Sequence, residues 1–149
     1  MLFRSEVCRA LLFNRPGRGG WGHLFARVED SFADELLPGD DGCDVIDGLR
    51  ADCKNRLVDA LVAASGKLLD EGDPREGLWF ARAALRRDRT REDAYTALMR
   101  AQIAAGQRTA ALETYFECRR FLTTELGIDP SLATMELYRS IIETEELLE

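Results

Sequence analysis

Apolar positions in the second half of the chain recur with the period of an α-helix. Ala94, Leu98, Ala101 and Ala105 stand three and four residues apart, with Tyr95, Met99 and Ile103 beside them. That spacing predicts a helix with a wide buried stripe. Gly106 interrupts the pattern, as a residue able to take positive φ does just past a helix end. A second run, Ala111, Leu112, Tyr115, Phe116, Cys118, Phe121 and Leu122, predicts a helix that Gly127 ends. Two amphipathic helices joined by a tight glycine turn make an αα-hairpin. Upstream, the same reading predicts helices over residues 1–13, 21–36, 47–71 and 75–87. The long third one carries its stripe on Leu49, Cys53, Leu57, Leu61, Ala64 and Leu68. Pro74 stands where an opening helix takes proline at its first position. A last helix is predicted over 131–148, with Ser131 as its cap. No segment reads convincingly as a strand.

The hairpin has an upstream echo. Gly72 and Gly106 stand 34 residues apart, and the same shift superposes Leu61 on Tyr95, Ala64 on Leu98, Leu78 on Leu112, Ala81 on Tyr115 and Ala84 on Cys118. A period of about 34 residues is that of the tetratricopeptide repeat, a helix-turn-helix unit. The expected fold is all-α: a tetratricopeptide-like, right-handed array of antiparallel helix hairpins. In such arrays the first helix of each pair lines a concave groove. By register Asp59, Asp70, Asp93, Thr96 and Arg100 face it here and are candidates for binding a partner. Neighbouring helices filling so shallow a groove is the alternative.

Composition narrows the function. At 149 residues, 46% hydrophobic and 32% charged, the chain has the size and make-up of one globular domain with a real core. Its net charge of −7 disfavours nucleic-acid binding by the whole surface. A local basic run, Arg82, Arg86, Arg87, Arg89 and Arg91, stands against that balance. It has two readings: favourable charge at a helix C-terminus with ion pairs to Glu92 or Asp93, or a patch for DNA backbone or an acidic partner. The tail residues Glu143, Glu145, Glu146 and Glu149 read as a solvated face.

No apolar run approaches the ~20 residues of a membrane span. Met1–Phe13 carries Glu6 and Arg9 and no cleavage site follows, so it does not read as a signal peptide. Cys8, Cys43, Cys53 and Cys118 form no Cys-x-x-Cys pair and read as reduced thiols of a cytoplasmic protein. Gly17 to Gly22 matches Gly-x-Gly-x-x-Gly, but without the strand and βαβ unit that a pyrophosphate loop needs. His23 is the only histidine, too few for a usual zinc set. No spacing picks out a nucleophile or an acid–base pair. The reading is therefore not an enzyme, with no catalytic residue, metal or cofactor assigned. A small-molecule pocket near Trp79 and Phe80 is a further possibility.

Leu36-Leu-Pro-Gly-Asp-Asp41, Ala94-Tyr-Thr-Ala-Leu-Met-Arg-Ala-Gln-Ile-Ala-Ala-Gly106, Ala110-Ala-Leu-Glu-Thr-Tyr115, Leu126-Gly-Ile-Asp-Pro-Ser131 and Leu137-Tyr138 together resemble the bacterial transcriptional activator domain. The segment Cys118 to Thr134 looks most like the branch found in large ATPase-type regulators. The resemblance covers about residues 24–143 and is most specific at Leu-Gly-Ile-Asp-Pro-Ser. It divides the chain into residues 1–23, a helix and Gly-rich loop that depart from the family pattern, and a domain over 24–149. It implies a helical module for self-association, or for contact with other domains of the same regulator or with RNA polymerase. It implies no catalytic residue. In many relatives a winged-helix DNA reader precedes the domain. Residues 1–23 are too short for one, so DNA contact is expected mostly through a domain outside this chain, and the chain is expected to be part of a longer regulator.

Overall fold

The computed structural model describes residues 44–146. The helices expected over 1–13 and 21–36, the Gly-rich loop and His23 lie outside the described residues. The chain divides into two compact units, Met1–Ala60 and Leu61–Glu149. The described part of the first unit is the opening of helix α1, Asp44–Asp70, whose last turns belong to the second. The second unit continues with α2 (Pro74–Arg87), α3 (Glu92–Ala104), α4 (Arg108–Phe121), a π-helical turn (Leu122–Leu126) and α5 (Leu132–Glu146). Among the described residues there is no strand. The all-α, tetratricopeptide-like reading holds.

The 34-residue echo is a backbone echo too. Gly72 and Gly106 both take positive φ, +82° and +73°. After α1, Asp73 N–H donates to Leu68 O at 2.8 Å and Gly72 N–H to Leu69 O at 3.0 Å. After α3, Gln107 N–H donates to Gln102 O at 2.8 Å and Gly106 N–H to Ile103 O at 3.0 Å. Each set is a Schellman closure, which satisfies carbonyls that a helix end leaves open. Three of the five paired positions are buried in both copies, Leu61 with Tyr95, Ala81 with Tyr115 and Ala84 with Cys118, while Ala64 and Leu112 are half-buried.

Each hairpin is tied across by a buried hydroxyl. Ser65 Oγ donates to Gly77 O at 2.8 Å, where α1 and α2 approach so closely that a Cβ on Gly77 would meet Leu69 Cδ2 at 3.0 Å. In the second hairpin Thr114 Oγ1 lies 2.9 Å from both Gln102 Oε1 and Ala110 O. Leu78, Ala81, Ala97, Leu98 and Ala101 form one apolar cluster, with Val62, Leu69 and Leu85 against it. Met99, Ala111, Tyr115 and Ile141 form another that holds α5, where Tyr138 stacks on Tyr115 with ring centroids 4.1 Å apart.

The second helix of the second hairpin departs from expectation at its end. It does not run regularly to Gly127 but widens after Phe121, where Gly127 N–H reaches back five residues to Leu122 O. Gly127 then takes φ +66° and Ile128 N–H donates to the same carbonyl at 3.2 Å. Pro130 is buried and Ser131 caps α5, its Oγ accepting from Thr134 N–H at 3.4 Å. The Leu-Gly-Ile-Asp-Pro-Ser element is thus a helix stop, a buried proline and a helix start in six residues.

Candidate functional site: an arginine-lined pocket

Helix α2 begins with Asp73 as its cap, Oδ1 accepting from Glu76 N–H at 3.2 Å, and Pro74 at its first position. It ends at Asp88, whose Oδ1 accepts from Thr90 N–H at 2.9 Å and Thr90 Oγ1–H at 2.6 Å. This fixes the link into α3, which carries Arg89. Arg82 and Arg86, four residues apart, share a side of α2, and Arg89 follows in the link beyond the extended Asp88. With Leu85, with Tyr95 from the first turn of α3, and with Glu117 from α4, they line an open cavity of about 260 Å³.

The pocket carries mixed charge. Arg89 Nη2 lies 3.6 Å from Glu117 Oε1, the side chains 70% and 49% exposed, a loose pair of little energetic weight. Arg82 and Arg86 are exposed. Burial pushes the Tyr95 phenol above its usual range, the Glu117 carboxylate adds to the shift, and Arg89 and Arg120 oppose it. The phenol therefore keeps its proton at neutral pH. Behind it, Cys118 is fully buried. Desolvation, then the charges of Glu92 and Glu117, push its thiol up to about 12, which makes it an inert core residue.

The basic run is split by the structure. Arg82, Arg86 and Arg89 line the cavity and Arg87 and Arg91 do not. Arg91 is held by its neighbour: Nε donates to Asp93 Oδ1 at 3.0 Å and Nη2 to Asp93 Oδ2 at 2.6 Å. This pairing holds the Asp93 carboxyl below its usual range, burial partly opposing. The pair expected between an arginine of the run and Asp93 is therefore present. Glu92 has another task. Its Oε1 accepts from Ser131 N–H at 2.7 Å and from Thr134 Oγ1–H, which places a carboxylate on the N-terminus of α5. At the far end of that helix the Arg108 guanidinium donates to Ile141 O, and to Ile142 O at 3.3 Å. Negative charge at the start and positive charge near the end both suit the helix dipole.

Of the residues placed in a groove by register, Asp93, Thr96 and Arg100 lie on α3. Asp93 is engaged as described, and Thr96 Oγ1 donates to Asp93 O at 2.9 Å. Asp70, at the end of α1, and Arg100 are exposed. Asp59 is an exposed residue of the first unit. None of the five lines the cavity, and neither do Trp79 and Phe80, whose rings meet edge to face at 5.1 Å. Sequence reasoning missed Tyr95 and Glu117 as pocket residues, since their helical positions already explained them as core and surface. The four-residue spacing of Arg82 and Arg86 on α2 was the available signal.

Among the described residues no three or more His, Cys, Asp or Glu side chains are grouped as a metal site requires, and no helix is long and apolar enough to cross a membrane. No curated protein and no solved structure matches the chain. A family model does match, over residues 25–142, and its span takes in both hairpins, the pocket and the helix stop and start at Gly127–Ser131. With most of its length under that one match, the chain belongs to the bacterial transcriptional activator domain family.

Proposed function

We propose that this domain is a non-catalytic docking module of a bacterial transcriptional regulator, working in the cytoplasm. Its partners are a second copy of the chain, other domains of the same regulator, or RNA polymerase. The carrying observation is a set of large apolar side chains left in solvent on an acidic protein. Leu126, Ile128 and Leu132 are 47%, 51% and 64% exposed around the turn into α5, and Phe116 on α4 is 52% exposed. Leu126 and Ile128 flank Gly127, the residue whose positive φ makes the turn. Apolar groups presented in this way mark contact surfaces.

The pocket argues against small-molecule sensing as the main task. At about 260 Å³ it falls below the ~300–1,000 Å³ of sites that enclose a drug-sized ligand. The test is light scattering over a concentration series together with retention of purified RNA polymerase subunits. We expect association or retention with the full chain, and its loss in the variant Ile128→Ser/Leu132→Ser at unchanged melting temperature. A strict monomer that retains no subunit overturns the reading.

A further inference from the structure

The docking module holds its arginines in an arrangement that a general acidic contact does not need. Arg82, Arg86 and Arg89 converge on one cavity, Tyr95 adds a phenol to its lining, and Leu85 adds an apolar side chain. Arg89 has a loose contact with Glu117, and Arg86 has an interaction of its own within the domain. Guanidinium groups match phosphate oxygens in paired geometry. A phosphate monoester carries about −1.5 to −2 charges and three acceptor oxygens on one atom. It therefore satisfies several guanidinium groups at once, where a carboxylate offers only two oxygens and one charge.

Two features decide between sources of phosphate. Duplex DNA presents one charge per phosphate in a row along each strand. A matching surface is a stripe, whereas these arginines surround an indentation with Glu117 on its wall, in a chain of net charge −7. The cavity volume of about 260 Å³ suits a phosphate and its stem with the rest of the ligand outside, not a whole nucleotide. We infer that the pocket formed by Arg82, Leu85, Arg86, Arg89, Tyr95 and Glu117 binds the phosphate monoester of a phosphorylated serine or threonine on a partner protein. This specifies the partner in the docking reading and rests on it. Arg89 exchanges its loose contact with Glu117 for the phosphate in a pocket that is already open.

The experiment uses the full chain and amide and guanidinium NMR spectra at fixed ionic strength. The probes are inorganic phosphate, glucose 6-phosphate, a random DNA duplex, and a degenerate peptide pool built around one fixed phosphoserine. Two control pools carry serine or glutamate at that position. The expected result is that phosphate and the phosphoserine pool shift the same resonances, at Arg82, Arg86, Arg89, Tyr95 and Glu117. The phosphoserine pool should bind at least about tenfold tighter than either control, a margin that charge-assisted paired hydrogen bonds supply. Arg82→Ala/Arg86→Ala should lose that margin while keeping its melting temperature, both side chains being exposed. Ile128→Ser/Leu132→Ser should retain it, so a failed phosphate site and a failed apolar contact read separately. The inference is overturned by equal binding of the glutamate pool, by tighter binding of glucose 6-phosphate than of the phosphoserine pool, or by DNA binding that the arginine variant abolishes.

Discussion

Glu92 shows how much one side chain of this domain is asked to do. It stands at the first position of α3, where a negative charge suits the helix, and its carboxylate reaches a second helix N-terminus 39 residues on. Hydrogen bonds to a charged group contribute about 1.5–3 kcal/mol each when one partner is removed. Glu92→Ala should therefore lower stability by about that much in urea denaturation, and Glu92→Gln, which keeps an acceptor oxygen, should lose less. Equal losses would mean that bulk and not the acceptor matters. Cys118 offers a second check at this scale. Its thiol should stay unmodified by a disulfide reagent in the folded chain and react once urea unfolds it, while half-buried Cys53 reacts earlier. The pH dependence has a defined sign. The folded value, about 12, lies above the ordinary 9.0, so the folded state holds the proton more tightly. The contribution of Cys118 is constant below pH 9 and is lost as pH rises toward 12.

At the scale of elements, the two glycine turns govern the array. A residue with a Cβ costs about 1–2 kcal/mol in the left-handed region, and nothing within 4 Å of a Cβ at Gly72 or Gly106 would add to that. Gly72→Ala and Gly106→Ala should therefore destabilise by similar amounts, about 1–2 kcal/mol each, in matched chemical denaturation curves. Clearly unequal losses would show that the two closures are not equivalent. This equivalence was legible in the sequence because glycine at 34-residue spacing, with apolar positions in step on both sides, is a local signal. So were the proline at the start of α2 and the serine that caps α5. The ties between elements were not legible. Ser65 with Gly77 and Thr114 with Gln102 join positions 12 apart on facing helices, and Glu92 with Thr134 joins positions 42 apart. Each residue has an ordinary reading on its own helix, so only the packing reveals its partner. The pocket is similar: Arg82 and Arg86 are periodic on α2, but Arg89 comes from the link and Tyr95 and Glu117 from other helices. The π-helical turn after Phe121 was also hidden, because Leu122 to Leu126 continues an acceptable helical composition.

At the scale of the whole molecule, the second unit is a stack in which α3 packs between α2 and α4, and α5, its last member, rests on both α3 and α4. Stability in such stacks is a sum of local terms, so a terminal element can open by itself. Helix α5 is held in three ways: the carboxylate of Glu92 on its first turn, the guanidinium of Arg108 near its end, and the cluster of Ile141, Leu137 and Tyr138 against Met99, Ala111 and Tyr115. The two polar ties grip opposite ends of one helix, and both come from the opening residues of α3 and α4. Removing either should loosen α5 without loosening the contact between α2 and α3, whose cluster around Leu78, Ala81 and Leu98 shares no residue with it. In native-state hydrogen exchange, Arg108→Ala should thus lower the protection of α5 amides by about tenfold or more, since opening follows the lost stability at 1.4 kcal/mol per decade. Amides of α2 should keep theirs. A uniform fall across α2 to α5 would show instead that the unit opens all at once. The outcome bears on docking, because Leu132 and the turn before it are exposed where α5 begins. A helix that loosens as a unit takes that apolar surface with it, whereas a cooperative unit keeps it fixed relative to the arginine pocket.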